Sequence, residues 1–314
     1  MAKSSKPPLV RFVCTSCDGQ FSKWQGRCEI CQGWGTLKPV DEVPSSGSTA
    51  RPTLSAKAIA ITSFARLQQE KPTSTRLSTG IEAVDRVLGG GIVPGSVSLI
   101  GGEPGIGKST LLAQMALAVA MAGHVVLYVT GEESPQQVLR RLQRLTPKPL
   151  PSSLNCLDAT DANAIAATIV KEHPALTIVD SIQSVRVAEA TGEAGNPTQV
   201  RASASVINEA AKRAQASVIL VGQVTKDGDL AGPRLLEHLV DTVLMLEGDR
   251  GDDIRLLRVL KHRFGTTDEN TLFTMGELGL HELVDPSLRF LQERPTPIAG
   301  SAVGCSLDGQ RTLL

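Results

Sequence analysis

The chain is 314 residues long, 41% hydrophobic and 20% charged, with 32 basic residues against 32 acidic ones. That length holds one large domain with small attachments, and a formal charge of zero excludes a polycation, so any affinity for nucleic acid has to be local. No run of about 18 apolar residues exists to span a bilayer, and the opening MAKSSKPPLV lacks the apolar stretch of a secretory leader, so the expected location is cytoplasmic, with no membrane contact.

The first element is CTSCDGQFSKWQGRCEIC, residues 14–31, with two C-x-x-C pairs separated by ten residues. Cytosolic thiols stay reduced, which argues against a disulfide, and a thioredoxin-like site uses one such pair beside a βαβ unit rather than two close together. Structural zinc is the remaining reading, with Cys14, Cys17, Cys28 and Cys31 as its four tetrahedral thiolates. Phe12, Phe21, Trp24 and Trp34 supply four of the chain's nine aromatic residues and are expected to form a lid on the metal. They are too few for a core that folds without it. Residues 1–40 carry six basic and two acidic residues, an excess that a solvated surface explains as well as a phosphate contact does. Cys156 and Cys305 are expected only to be buried.

Residues 41–58 include the Ser/Pro/Thr-rich stretch VPSSGSTARPTLSAKA and read as a linker, which makes the zinc module (1–40) a tethered unit. From 59 to 290 apolar runs alternate with helical patterns, the mark of an α/β domain with a mostly parallel sheet flanked by helices.

Within that domain, GEPGIGKS follows an apolar strand candidate, Val97–Ile100, and precedes a run with helical periodicity. This is the setting of a P-loop for ATP. Gly102, Glu103, Pro104, Gly105, Ile106, Gly107 and Thr110 make up the cradle, in which the glycines let backbone N–H groups curl around the β-phosphate; Lys108 reaches the β/γ oxygens, and Ser109 can hold Mg²⁺. Two further strands end in acids: HVVLYVTGEES delivers Glu132 and Glu133, and ALTIVDS delivers Asp180. Strand carboxyl ends face the nucleotide in such sheets. Asp180 therefore suits the magnesium-side acid, and Glu132 the base for the attacking water, with a helix cap as the alternative role for the Glu132–Glu133 pair. ASVILVGQV ends near Gln223, placed to sense the γ-phosphate.

STGIEAVDRVLGGGIVPGSVSLIGGEPGIGKSTL (78–111), YVTGEES, VTKDGDLAGPRLLEHLVD (224–241) and KHRFG (261–265), behind four cysteines, resemble the bacterial RadA (Sms) family of DNA-repair ATPases. The resemblance implies a RecA-type core. It also implies a DNA-stimulated ATPase that drives branch migration on recombination intermediates, with single-stranded and branched DNA and a RecA-type recombinase filament as partners. His262 stands where the family motif usually has Asn, and Gln223 where it often has His. Residues 291–314 look like the first strands of the family's Lon-protease-like domain.

The resemblance to ring motors implies DNA-gripping loops after the nucleotide-facing strand ends. The candidates are 183–201, irregular and carrying Arg186 and Arg201, and 225–234, carrying Lys226 and Arg234. Exposed loops with solvated charges are the alternative. Lys261 and Arg263 resemble a K-x-R-x-G pattern of hexameric DnaB-type helicases. That likeness implies a pair reaching the nucleotide of an adjacent subunit in a homo-oligomeric, hexameric ring; a basic hairpin or a DNA contact is the alternative. A KaiC-like signalling ATPase and a non-catalytic zinc/ATP adaptor are the competing functional classes.

Overall fold

The computed structural model of the chain describes residues 12–15, 20–39, 63–64, 76–223, 233–249, 251–285, 306–308 and 311–313. Cys17, Lys226, Cys305, the side chain of Arg234, and most of the expected linker and of 291–314 lie outside them. The chain divides into two units, Met1–Arg66 and Leu67–Leu314.

In the first unit, β1 (Phe12–Cys14) pairs antiparallel with both β2 (Gln20–Phe21) and β3 (Leu37–Pro39). Cys14, Cys28 and Leu37 are buried, and Phe12 and Phe21 pack on them. The expected four-aromatic lid is therefore only half formed. Trp24 and Trp34 are 61% and 77% exposed, and the Arg27–Trp34 bridge lays the Trp34 ring along Gly26 instead of over the cysteines.

In the second unit one nine-stranded sheet runs in the order β12-β11-β10-β9-β4-β8-β7-β5-β6. Six neighbours are parallel: β9 (Thr242–Glu247), β4 (Val97–Gly101), β8 (Ser217–Val221), β7 (Leu176–Asp180), β5 (Val126–Thr130) and β6 (Leu154–Asp158). The sheet then continues as an antiparallel meander through β10 (Ile254–His262), β11 (Asn270–Gly276) and β12 (Gly279–Glu282).

Strand residues alternate between two apolar layers. Ile100, Tyr128, Ile178 and Val221 face α1 (Glu82–Val87), α2 (Lys108–Met121) and α3 (Pro135–Leu145). Leu99, Val129, Val179 and Leu220 face α4 (Ala162–Glu172) and α5 (Pro197–Ala214), with Leu236 of the short α6 (Pro233–Leu236) in the same layer. Cover on both faces explains why β4, β5 and β8 are buried at every position and are mostly apolar along their length. β6, the last strand of the sheet among the described residues, is half exposed, and Cys156 on it is exposed rather than buried as expected. Among the described residues no helix is long and apolar enough to cross a membrane.

Two helix starts bear on the site. Ser134, not Glu132 or Glu133, caps α3: its hydroxyl accepts from Gln137 N while Gln137 Oε1 accepts from Ser134 N at 2.7 Å, a reciprocal capping box. Asn196 caps α5 by accepting from Thr198 N at 3.0 Å, with Pro197 at the first helical position. The expected loop 183–201 thus ends at Asn196, and Arg201 belongs to a helix.

Candidate functional site

The parallel strands converge on one end of the sheet, and the P-loop leaves β4 there. Gly102 has to be glycine because a Cβ would meet the carbonyl oxygen of Leu246 at 2.5 Å. Gly107, at φ 117°, opens α2 in a conformation that side chains rarely adopt. The loop rests on the antiparallel half of the sheet, and Arg255, 7% exposed, donates from Nε to the Ile106 carbonyl at 3.0 Å.

Lys108 donates from Nζ to the carbonyls of Gly102 (2.8 Å) and Glu103 (2.9 Å), which holds its ammonium at the loop. Burial pushes its pKa below the usual lysine value, while the charges of Asp180 and Glu132 pull the other way. Residues 130 and 180 are partners across β5 and β7, so the two strand ends carry Glu132 and Asp180 to one place.

The two glutamates have separate partners. Glu132 accepts from Ser181 Oγ and from Gln223 Nε2, at 3.3 Å to Oε1. Glu133 instead pairs with Arg141 of α3 at 2.5 Å, and its backbone is held by Thr130, whose hydroxyl donates to the Glu133 carbonyl at 2.6 Å. Glu132 thus faces the acid cluster and Gln223, whereas Glu133 fixes the turn. Asp180 accepts from the Tyr128 hydroxyl at 2.7 Å. Burial, the Asp180 charge and that hydrogen bond hold the phenol well above its usual range, so it stays protonated.

Asp180 and Ser109 offer a carboxylate and a hydroxyl, the hard oxygen donors that magnesium takes together with phosphate and water. Lys108 and the loop N–H groups suit the phosphates. In the first unit the ligand atoms of Cys14, Cys28 and Cys31 all lie within 4.8 Å of one another, with Cys14 Sγ to Cys31 Sγ at 3.6 Å. Thiolates placed tetrahedrally at about 2.3 Å from zinc are roughly 3.8 Å apart. The three sulfurs fit zinc, and 3.6 Å is far beyond a disulfide bond.

The other candidates sit on separate elements. Arg186 is exposed, on the stretch between Ser184 and α5. This stretch is tied down by Gln199, 3% exposed, whose Oε1 accepts from Val187 N at 2.9 Å and whose Nε2 donates to the Ala190 carbonyl at 2.6 Å. Arg201 is exposed on α5. Lys261 donates to the carbonyls of Glu237 and Val240, and Arg263 pairs with Asp241 at 2.9 Å. Ser98 and His262 both register with Thr242. The strand rise therefore puts Arg263 about 13 Å from Gly101 along the strands, at the end of the sheet away from its own P-loop.

Sequence reasoning missed Tyr128, Arg255, Arg141, Ser181 and Gln199. One signal was available: Tyr128 is the chain's only tyrosine and sits in an aliphatic strand, where a buried hydroxyl needs a partner.

The family described as AAA domain matches residues 65–229. A protein named DNA repair protein RadA from Mycobacterium tuberculosis (strain ATCC 25618 / H37Rv) is 43% identical over 305 residues, covering 97% of this chain and 63% of its own length. Proteins of the same name from Pseudomonas aeruginosa and Escherichia coli (strain K12) are 42% and 41% identical, covering 100% and 99% of this chain and 67% of their own lengths. The chain spans 63% of the first of these relatives and about two thirds of the others. With identity at this level running through both the cysteine-bearing unit and the P-loop sheet, the chain belongs to the RadA family of DNA repair proteins.

Proposed function

We propose that the chain is a cytoplasmic, DNA-stimulated ATP hydrolase that works on single-stranded and branched DNA, promoting branch migration beside a RecA-type recombinase filament. One observation carries the hydrolase reading: Glu132 is bonded to Gln223 and Ser181 at the strand ends where Asp180 lies. The P-loop N–H groups and Lys108 would bind the phosphates. Ser109 and Asp180 would hold magnesium, which supplies charge neutralisation at the transferring phosphoryl group. Glu132 takes the proton of the attacking water, and Gln223, bonded to that same carboxylate, connects the γ-phosphate position to the chain that follows.

The DNA side of the reading rests on the RadA relatives and on Arg186, Arg201, Lys226 and Arg234. The position of Arg263 away from its own P-loop supports a role in trans within a ring of like chains. ATP turnover measured with and without single-stranded DNA tests the whole. The expected result is slow turnover that rises with DNA and vanishes in Lys108→Ala; absence of turnover in both conditions overturns it.

A further inference from the structure

Asp180 is the only acid at the P-loop end whose carboxylate is gripped by a phenol. Tyr128 lies two residues before the end of β5 and registers with Ile178 of β7, so its ring packs in the α1–α2–α3 layer while its hydroxyl reaches Asp180 Oδ2 at 2.7 Å. The ring is 1% exposed and forms one wall of an apolar hollow of about 250 Å³ bounded by Val138, Leu139, Leu142 and Leu154. Backbone pairing, helix packing and the hollow's walls therefore fix where the hydroxyl points.

We infer that Tyr128 is a positioning residue for the magnesium side of the nucleotide site: its hydroxyl fixes Asp180 Oδ2, so that Oδ1 is presented to the metal's water shell. The inference rests on the reading of Asp180 as the magnesium-side acid. A carboxylate free to rotate offers a cation either oxygen in many orientations, and ordering it on binding costs entropy; a donor that already holds one oxygen removes that cost. The phenol donates to Oδ2, which leaves Oδ1 as the carboxylate oxygen available to the metal side. The bond spans two neighbouring parallel strands within one apolar layer, so it also carries any shift of β5 to the magnesium side.

The test uses the intact chain and ADP, with and without Mg²⁺. In Tyr128→Phe the ring remains and only the hydroxyl goes. ADP affinity in EDTA should match the parental chain, while the tightening produced by Mg²⁺ should fall about tenfold, the size of one hydrogen bond to a charged group. In the Asp180→Asn background the same substitution should change nothing further, because the two residues act as one unit. Equal Mg²⁺ tightening in parental and Tyr128→Phe chains overturns the inference. So does an equal loss of affinity with and without Mg²⁺, the result expected if the hydroxyl serves packing alone.

A second readout needs no variant of Tyr128. Since the chain has one tyrosine, 3-fluorotyrosine labels that site only, and its ¹⁹F resonance should move when Mg²⁺ is added to the ADP complex and stay still in Asp180→Asn. A resonance indifferent to Mg²⁺ in the parental chain also overturns the inference. A chain that binds Mg²⁺ and ADP but fails to turn over ATP defeats the hydrolase reading while the binding and ¹⁹F results still decide the role of Tyr128.

Discussion

Arg255 and Ile106 are joined across 149 residues by a hydrogen bond of 3.0 Å from the Arg255 Nε to the Ile106 carbonyl. The same guanidinium donates from Nη1 to the carbonyls of Asp252 and Ile254, both at 2.7 Å, so one buried cation closes the β9–β10 turn and braces the P-loop. Arg255→Met should lower unfolding free energy by about 1–3 kcal/mol, since it strands the buried Ile106 carbonyl and frees part-buried ones in the turn. ATP-analogue affinity should drop with it. Urea unfolding and a nucleotide titration check both; Arg255→Lys should recover only part, because an ammonium cannot reproduce the fork.

Glu132 and Glu133 separate cleanly by substitution. Glu132→Gln should keep nucleotide binding and lose at least about a hundredfold in turnover, the range for removing a general base. Glu133→Gln breaks the pair with Arg141, whose side chain is 18% exposed, and should cost roughly 1 kcal/mol of stability with turnover within a few-fold of the parent. Reversal of these two patterns in steady-state assays would move the base to Glu133.

For the cysteine unit, Cys28→Ser should release zinc and unfold residues 1–40, because Cys28 is 1% exposed among a handful of apolar side chains. The thermal transition of the second unit should be unchanged. Metal content and scanning calorimetry read the two outcomes; one zinc per chain in the variant would remove the site.

Arg263 is half exposed and pairs with Asp241, which is 8% exposed and also accepts from Val97 N at 3.0 Å. A role in trans requires the guanidinium to leave this carboxylate for a neighbour's phosphate, and Asp241 keeps a partner when it does. Arg263→Ala protomers should bind ATP without hydrolysing it, and mixing them with Lys108→Ala protomers should restore part of the activity. A stable assembly with no recovery at any ratio assigns Arg263 to its own chain or to DNA.

His262 links β10 to two neighbours: Nδ1 lies 2.9 Å from Thr242 Oγ1 and Nε2 lies 3.2 Å from the Leu88 carbonyl. Burial lowers its pKa, the Leu88 carbonyl raises it, and the Arg76 charge lowers it again; the net direction is down. The unfolded chain thus takes up the proton first, and stability from this group is lost as pH falls below about 6.5 toward the lower folded value. His262→Asn should flatten that part of the urea-midpoint profile between pH 8 and 5 while leaving the high-pH plateau near the parent.

The parallel-sheet architecture is legible in the alternation of apolar runs and helical patterns. GEPGIGKS, the acids at 132 and 180, and the cysteine pairs are local patterns whose chemistry follows from backbone geometry. The Asn196–Pro197 helix start is equally local, and it ends the loop carrying Arg186 five residues earlier than composition alone suggests. The contacts of Arg255, Tyr128 and Gln199 depend on strand register and on which layer a side chain enters, and no window of sequence contains that. Exposure of Trp34 is the same kind of fact: the residue type argues for burial, and the bridge to Arg27 lays the ring along Gly26 instead.

The pairing of β4 with β9 also bears on the order in which the chain can fold. Strands β9 to β12 follow one another in sequence and can pair as a local meander, whereas β4 meets β9 across 144 residues. Closing so large a loop is entropically slow, so this seam forms after the local pairings on either side. The P-loop is floored by Leu246, Met275 and Arg255, all from beyond the seam. A refolding chain would therefore regain nucleotide binding as one of its last events, well after most of its helix has returned.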